Sequence, residues 1–251
     1  MDATQDWILR VDDPVADLAL NRPKCLNAQR RQTFQELHRV MDALERDPKV
    51  RVVLLRGEGR AFSAGADLKE YASIAKDPVA FASFQLEGLS AYRRLALSPL
   101  PVVAALHGAA LGGGLELALH ADVRIAAADA RLALPEPKVG LIPGAGGAAF
   151  LLEMGLIGPL FTGEPIEPSR LAEVVPSERL LPRARELCAQ IAASAPLAVR
   201  ALKRLSAERW KRIAPWVDLE QKLLLELQGS KDAAEGVKAF AEKRAPKFRG
   251  T

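Results

Sequence analysis

The sequence predicts an α/β core followed by a helical C-terminal part. Short apolar segments alternate with helical patterns and glycine-rich loops as far as Gly147, which is typical of an α/β core. Of the 251 residues, 49% are hydrophobic, enough to bury a substantial core. Helical patterns without a strand complete the chain: Ala184 to Ala193, Pro196 to Arg209, Trp216 to Gln228 and Asp232 to Lys243. We therefore predict a core over residues 1–195 and a helical region over residues 196–251, which we expect to pack on another subunit.

The first elements are a predicted β-hairpin and an amphipathic helix. Trp7 to Val11 and Val15 to Leu20 alternate partly between apolar and polar residues, as paired strands do. Asn27 can cap the following helix, because its side-chain oxygen can accept a backbone N–H hydrogen bond. Apolar residues recur in this helix at steps of three and four: Phe34, Leu37, Val40, Met41 and Leu44. Asp47 and Pro48 end it.

A buried strand and a loop of small residues come next. Arg51 to Leu55 is short and apolar, and residues 57–67 are rich in glycine, alanine and serine. Helical patterns fill Leu68 to Leu97, with a break near Pro78, because proline does not continue a helix. Pro101 to Leu106 is a second apolar segment and predicts another buried strand.

The centre of the chain places a carboxylate inside an apolar helix. Gly108 and Gly112 to Gly114 interrupt the preceding strand. Leu115 to Leu119 consists of strong helix formers and is apolar on nearly every side, so the helix should be buried. Glu116 lies in its middle. Since a carboxylate is almost never buried unless it is paired, bound or used, Glu116 is a candidate functional residue.

A second glutamate follows in a turn after another apolar run. Glu136 stands between two prolines, directly after the apolar run Arg131 to Leu134. The predicted strand Val123 to Ala126 lies between the two glutamates, so the chain can leave and return to the same neighbourhood. We predict that the two acids meet near the glycine-rich start of a helix.

Two loops of small residues offer backbone donors. Ser63 to Ala66 and Gly112 to Gly114 each precede a helical pattern, and the first N–H groups of a helix have no partner within it. Glycine and alanine allow close approach to the backbone. If the loops converge, the N–H groups of Ala66 and Gly113 can hold a developing oxyanion. The alternative is that both loops are simply tight turns.

Composition and missing motifs exclude several classes of protein. No apolar run approaches the roughly 18 residues of a membrane helix, and acidic residues occupy the start of the chain, so we expect a cytoplasmic protein. Cys25 and Cys188 are too few for a disulfide framework or a zinc cluster, and we expect no metal. Gly144 to Ala149 fits a relaxed dinucleotide pattern after a possible strand, Lys138 to Ile142, but Pro143 directly before the first glycine argues against it.

Four motifs resemble the signatures of the enoyl-CoA hydratase/isomerase, or crotonase, family. They are Asn21 to Ala28, Gly59 to Lys69, His107 to Ala118 and Pro135 to Gly147, and the likeness extends over essentially the whole chain. The resemblance implies a spiral of repeated ββα units with a C-terminal helical trimerisation region. It also implies a homotrimer or a dimer of trimers.

The same resemblance implies a reaction on an acyl-CoA thioester. The N–H groups of Ala66 and Gly113 would hold the thioester carbonyl, while Glu116 and Glu136 stand where the family's hydratases have their two acids. We assign Glu116 mainly to the water molecule and Glu136 to protonation of the α-carbon, although the reverse reaction exchanges these roles. No separate cofactor is implied, because coenzyme A is part of the substrate.

The resemblance further implies which residues bind coenzyme A. The carbonyls of Ala64 and its neighbours would face the adenine, and the lysines would approach the phosphates. Two of these lysines belong to the C-terminal part, of the same or of a neighbouring subunit. The implied set is Lys24, Leu26, Ala64, Asp67, Leu68, Lys243 and Lys247. Each lysine has the alternative of being a solvated surface charge.

Two other functions stay open at this point. One is another reaction of the same fold, chiefly isomerisation of a 3-enoyl-CoA. The other is RNA binding through the basic first helix, but a single phenylalanine and no stacking set accompany its arginines, so we expect no nucleic acid partner. The segment over residues 148–176 also departs from the family pattern, because it is about ten residues shorter.

Overall fold

The computed structural model describes residues 6–251. Its strands are β1 (Trp7–Asp12), β2 (Val15–Leu20), β3 (Val52–Gly57), β4 (Val102–Leu106), β5 (Ala109–Leu111), β6 (Val123–Ala127), β7 (Arg131–Ala133) and β8 (Glu173–Val175). Its α-helices are α1 (Arg31–Arg46), α2 (Leu68–Ile74), α3 (Pro78–Leu97), α4 (Gly113–Leu119), α5 (Gly147–Glu153), α6 (Ile157–Thr162), α7 (Leu180–Ala193), α8 (Pro196–Gln228) and α9 (Lys231–Ala241). A 3₁₀ turn, Glu136–Val139, carries the second candidate acid.

One large sheet forms the centre of the molecule, with strand order β1-β2-β3-β4-β6-β8. β1 and β2 form the predicted antiparallel hairpin, and the remaining neighbours are parallel. Every residue of β3 and β4 is buried, as expected for parallel strands that are covered on both faces. The α/β class predicted from the sequence is confirmed.

Short extended segments that recur along the chain form a second, smaller layer alongside the sheet. β5 pairs with β7 in parallel, and single bridges join Ser63 to Ala110 and Leu132 to Ile166. Thus the chain leaves β3, β4 and β6 in turn, adds a short extended segment to the second layer, and then enters a helix. This repetition is the predicted spiral of ββα units, and it places corresponding turns of successive repeats next to one another.

The C-terminal helices cover both the sheet and the repeats. α7 packs on β3, β4 and β6, whereas α8 packs on α3 and α5. The large core reaches Val217 of α8, and a smaller apolar cluster joins the far end of α8 and α9 to α2 and α3. α8 begins directly after Ala195. The division of the chain near residue 195 stays an interpretation of the sequence.

Three local predictions were wrong. Asn27 does not cap α1, because its backbone is left-handed (φ 55°) and its side chain bridges loops: Oδ1 accepts from Arg22 N–H at 2.9 Å, and Nδ2 donates to the carbonyl of Ala61 at 2.7 Å. The cap position is Arg30. The possible strand at Lys138 to Ile142 is instead part of the 3₁₀ turn and a loop.

The last wrong prediction concerns α8. Two helices were predicted where one helix of 33 residues runs through Pro215. Pro215 removes one backbone hydrogen bond, but it is exposed, so water can solvate the freed carbonyl. Buried Ile213 and Val217 keep the helix packed on both sides of it. Among the described residues, no helix is both long and apolar enough to cross a membrane.

Candidate active site

Glu116 lies on α4 and is held by the backbone of a glycine-rich turn. It is 4% exposed. Its Oε1 accepts hydrogen bonds from the N–H groups of Ala145 at 2.7 Å and Gly147 at 3.0 Å. Burial raises the pKa of this carboxyl, and the amide hydrogen bonds oppose that rise because they favour the anion. The sequence prediction that Glu116 is buried and bound is confirmed.

Glu136 lies beside the start of the same helix. Its Oε1 is 2.7 Å from the point where a Cβ would stand on Gly112, the N-terminal cap of α4. Gly112 also has φ 51°, so a larger residue there would be strained and would collide with the acid. The Oε2 atom of Glu136 is inaccessible to solvent and has no hydrogen-bond partner among residues 6–251.

The charge of Glu116 affects the protonation of Glu136. Burial, and then the charge of Glu116, raise the pKa of Glu136 to about 8. The charge of one buried carboxyl disfavours ionisation of the other, so the pair retains a proton near neutral pH. The side chains of the two predicted acids therefore share one electrostatic environment.

This coupling predicts a pH-dependent stability. An unfolded glutamate carboxyl titrates near pH 4.5, whereas Glu136 in the folded chain titrates at about 8. Between these values the unfolded state releases a proton that the folded state keeps, so the free energy of unfolding falls as pH rises, by up to about 1.4 kcal/mol per pH unit. Glu136→Gln removes the titrating group. We expect its free energy of unfolding to decline less than that of the wild type over this pH range.

Urea unfolding of both proteins at several pH values measures the effect. The difference between variant and wild type should grow steadily toward the upper end of the range. Parallel pH curves for the two proteins would contradict the raised pKa of Glu136.

The two small-residue loops converge. A Cβ built on Gly65 would stand 3.3 Å from the N atom of Gly113, and one built on Gly113 would stand 3.8 Å from the N atom of Ala66. The pairing of Ser63 with Ala110 brings the loops together. Within residues 6–251, neither the Ala66 nor the Gly113 N–H group donates a hydrogen bond. Both amides are therefore available to a ligand, as an oxyanion hole requires.

A buried hydrogen-bond network supports these loops, and the sequence did not reveal it. The Tyr92 hydroxyl donates to Gln29 Oε1 at 2.6 Å, and Gln29 Nε2 donates to Ser63 Oγ at 2.9 Å. Ser63 Oγ in turn accepts from the Gly65 N–H at 3.2 Å. Burial, and then the charges of the two candidate acids, raise the pKa of Tyr92 well above its ordinary value. No local pattern in the sequence marks the contact of Tyr92, in α3, with these loops.

A third buried acid, Glu220 of α8, was also missed. It is 3% exposed, and its oxygens accept from the N–H groups of Gly146 at 2.6 Å and Ala149 at 3.0 Å. Burial, and then the charge of Glu116, raise its pKa well above the ordinary value. Unlike Glu116, it has charged and polar neighbours in the sequence, Asp218, Gln221 and Lys222, so nothing in the helical pattern singled it out.

The predicted coenzyme A residues fall into two groups. In the first group, the N–H of Ala64 donates to the carbonyl of Leu26 at 2.9 Å, and Asp67 caps α2 while pairing with Arg22 at 2.8 Å. Leu68 is 56% exposed. Lys24 is exposed on the same loop as Leu26.

The second group comprises Lys243 and Lys247, both exposed beyond the end of α9. Their backbone N–H groups donate to Phe240 and Glu235 of the same C-terminal segment. Among the described residues, no hydrogen bond or ion pair connects these two lysines with the first group. Their participation in coenzyme A binding stays a prediction.

Comparison with known proteins identifies the family. The family described as enoyl-CoA hydratase/isomerase matches residues 10–251. A probable enoyl-CoA hydratase of Bacillus subtilis is 37% identical over 96% of this chain and 98% of that protein. A short-chain-enoyl-CoA hydratase of Clostridium acetobutylicum is 34% identical over 94% of this chain and 95% of its own length.

Comparison with solved structures leads to the same family. The crystal structure of carnitinyl-CoA hydratase from Mycobacterium avium has a TM-score of 0.86 and 32% identity, and the match covers 98% of this chain and 99% of that chain. With the spiral of ββα units and the sequence match over nearly its whole length, this chain has the crotonase fold and belongs to the enoyl-CoA hydratase/isomerase family.

Proposed function

We propose that this enzyme is a 2-enoyl-CoA hydratase, which adds water across the 2,3 double bond to give a 3-hydroxyacyl-CoA. The observation that carries the proposal is the juxtaposition of two electrostatically coupled acids, Glu116 and Glu136, with two free amides, those of Ala66 and Gly113. Isomerisation needs one group to move a proton, whereas hydration uses a base for water and an acid for carbon.

The proposed chemistry follows from the environment of each group. The Ala66 and Gly113 N–H groups polarise the thioester carbonyl, which makes the β-carbon electrophilic. Glu116 already receives two amide hydrogen bonds, which favour its anion and suit it to take a proton from water. Glu136 has a pKa of about 8 and a free Oε2, which suit it to deliver a proton to the α-carbon.

The protons balance in the hydration step, and a proton then has to return from Glu116 to Glu136 before the next turnover. The water oxygen bonds to the β-carbon, its proton passes to Glu116, and the proton of Glu136 reaches the α-carbon. The pair therefore ends with the same number of protons as it began, on the opposite acid. Dehydration runs through the same positions with the roles exchanged.

A direct assay tests the proposal. Crotonyl-CoA is incubated with the protein, and hydration is followed as the loss of the conjugated thioester absorbance. Glu116→Gln should abolish that loss. Turnover of a 3-enoyl-CoA that survives this change would favour isomerisation instead, and salt-sensitive RNA binding without thioester turnover would favour a binding protein.

Coenzyme A recognition and cytoplasmic location belong to the same proposal. The relatives named for enoyl-CoA hydration support an acyl-CoA substrate. We assign the nucleotide end to the loop that bears Lys24 and Leu26, together with Ala64, Asp67 and Leu68. The two C-terminal lysines remain candidates for a phosphate contact.

A trimer is the assembly that we propose. α8 exposes several large apolar side chains that a monomer would leave in water, among them Leu197 (80%), Leu205 (68%), Leu202 (66%), Leu219 (52%) and Trp216 (48%). Such patches mark protein interfaces. Light scattering should give three or six times the mass of one chain.

A pair of matched variants locates the interface. Leu202→Glu should shift the assembly toward monomer, because it buries a charge in the contact. Val79→Glu is the control, since Val79 is a similarly exposed apolar side chain (79%) on a different helix, α3. A monomeric wild type would contradict the trimer.

A further inference from the structure

The turn over residues 144–149 is shared between two buried carboxylates. Glu116 accepts from the N–H groups of Ala145 and Gly147, whereas Glu220 accepts from those of Gly146 and Ala149. Successive amides thus alternate between an acid on α4 and an acid on α8. The reaction proposed above uses the first acid and leaves the second without a role.

The geometry of the turn depends on both acids. Gly146 is left-handed (φ 93°), and a Cβ on Gly147 would stand 2.9 Å from Glu116 Oε1, so the turn presses closely on that carboxylate. From α8, the side-chain amide of Gln221 donates to the carbonyl of Gly144. α8 therefore holds the turn at three points through two consecutive residues.

We propose that Glu220 is a positioning residue for Glu116. By fixing the Gly146 and Ala149 amides, it keeps the neighbouring Ala145 and Gly147 amides directed at Glu116 Oε1. The inference rests on the proposed function for its catalytic consequence, since Glu116 must act on the substrate water. Its structural content, a turn held from both sides, does not depend on the reaction.

The chemistry of the carboxylate explains why glutamate is needed there. Two oxygens accept two N–H groups from the same turn, whereas a glutamine offers one acceptor and sets an NH₂ group against the other donor. A displacement of the order of 1 Å at a catalytic group can cost about a hundredfold in rate. Loss of one buried acceptor leaves an N–H group of the turn without a partner, which destabilises the turn.

The test compares Glu220→Gln with Glu36→Gln. Glu36 is also a buried glutamate (3% exposed) whose carboxylate accepts a backbone N–H, that of Asp6 at 3.1 Å, but it lies on α1 away from the turn. We expect Glu220→Gln to lower kcat for crotonyl-CoA hydration by about ten- to a hundredfold with KM within about twofold. Glu36→Gln should leave both constants unchanged.

A second measurement needs no substrate. Amide hydrogen exchange at Ala145 and Gly147, the donors to Glu116, should quicken by about tenfold in Glu220→Gln and stay as in the wild type in Glu36→Gln. Circular dichroism confirms that the variants are folded. Glu220→Asp, with the charge on a shorter side chain, replaces the glutamine variant if that one unfolds, and the same changes are expected.

The outcomes separate the two proposals. Wild-type exchange at Ala145 and Gly147 in a folded Glu220 variant overturns the inference, as does an unchanged kcat. If the wild type hydrates no enoyl thioester, the proposed function falls, and amide exchange alone then decides whether Glu220 holds the turn.

Discussion

Replacing Glu116 with glutamine is expected to lower kcat for crotonyl-CoA hydration by about 10³- to 10⁴-fold, the upper part of the range for a lost general base. Glutamine keeps the shape of the side chain, and its carbonyl oxygen can still accept the Ala145 and Gly147 N–H groups. It cannot accept the proton of the attacking water. The fold should therefore survive while the chemical step is lost.

Steady-state kinetics on purified variants measures this effect. KM should change much less than kcat, because the thioester and nucleotide contacts are untouched. Glu36→Gln again provides the control for removal of a buried carboxylate elsewhere. A loss of less than tenfold in a folded Glu116→Gln variant would remove Glu116 from the mechanism.

The sequence was most informative where the physical signal is local. The hairpin β1–β2 and the buried strands β3 and β4 follow directly from alternation and from apolar runs. Pro215 misled the helix prediction, because proline's local effect was overridden by packing of Ile213 and Val217 against the core. β8 was not predicted, because it is a short edge strand with mostly exposed residues and shows no alternation of apolar and polar residues.

In the candidate site too, the sequence revealed the residues with a local signal and missed those that depend on packing. Glu116 could be found because a charged residue in an apolar helix is anomalous in the sequence itself. Tyr92, Gln29 and Glu220 matter through contacts between distant segments, 63 residues apart in the case of Tyr92 and Gln29. Such contacts depend on the packing of helices on the repeats, which no pattern within one segment specifies.

Replacing Gly113 with proline is expected to lower kcat by about 10²- to 10³-fold, the usual cost of one oxyanion-hole donor. Proline has no N–H, so the substitution removes one of the two amides that we assign to the thioester oxygen. The backbone should accept it. Gly113 is the first residue of α4, a position that favours proline.

The added ring atoms need their own control. A Cβ at position 113 would stand 3.0 Å from the Tyr92 hydroxyl oxygen, so part of any loss could come from crowding. Gly113→Ala with Tyr92→Phe retains the N–H, adds the Cβ and removes the crowded oxygen. Relative to Tyr92→Phe alone, it should lose less than about tenfold, whereas Gly113→Pro with Tyr92→Phe should lose the full amount. Equal losses in the two double variants would mean that the space at residue 113, and not its N–H group, controls the reaction.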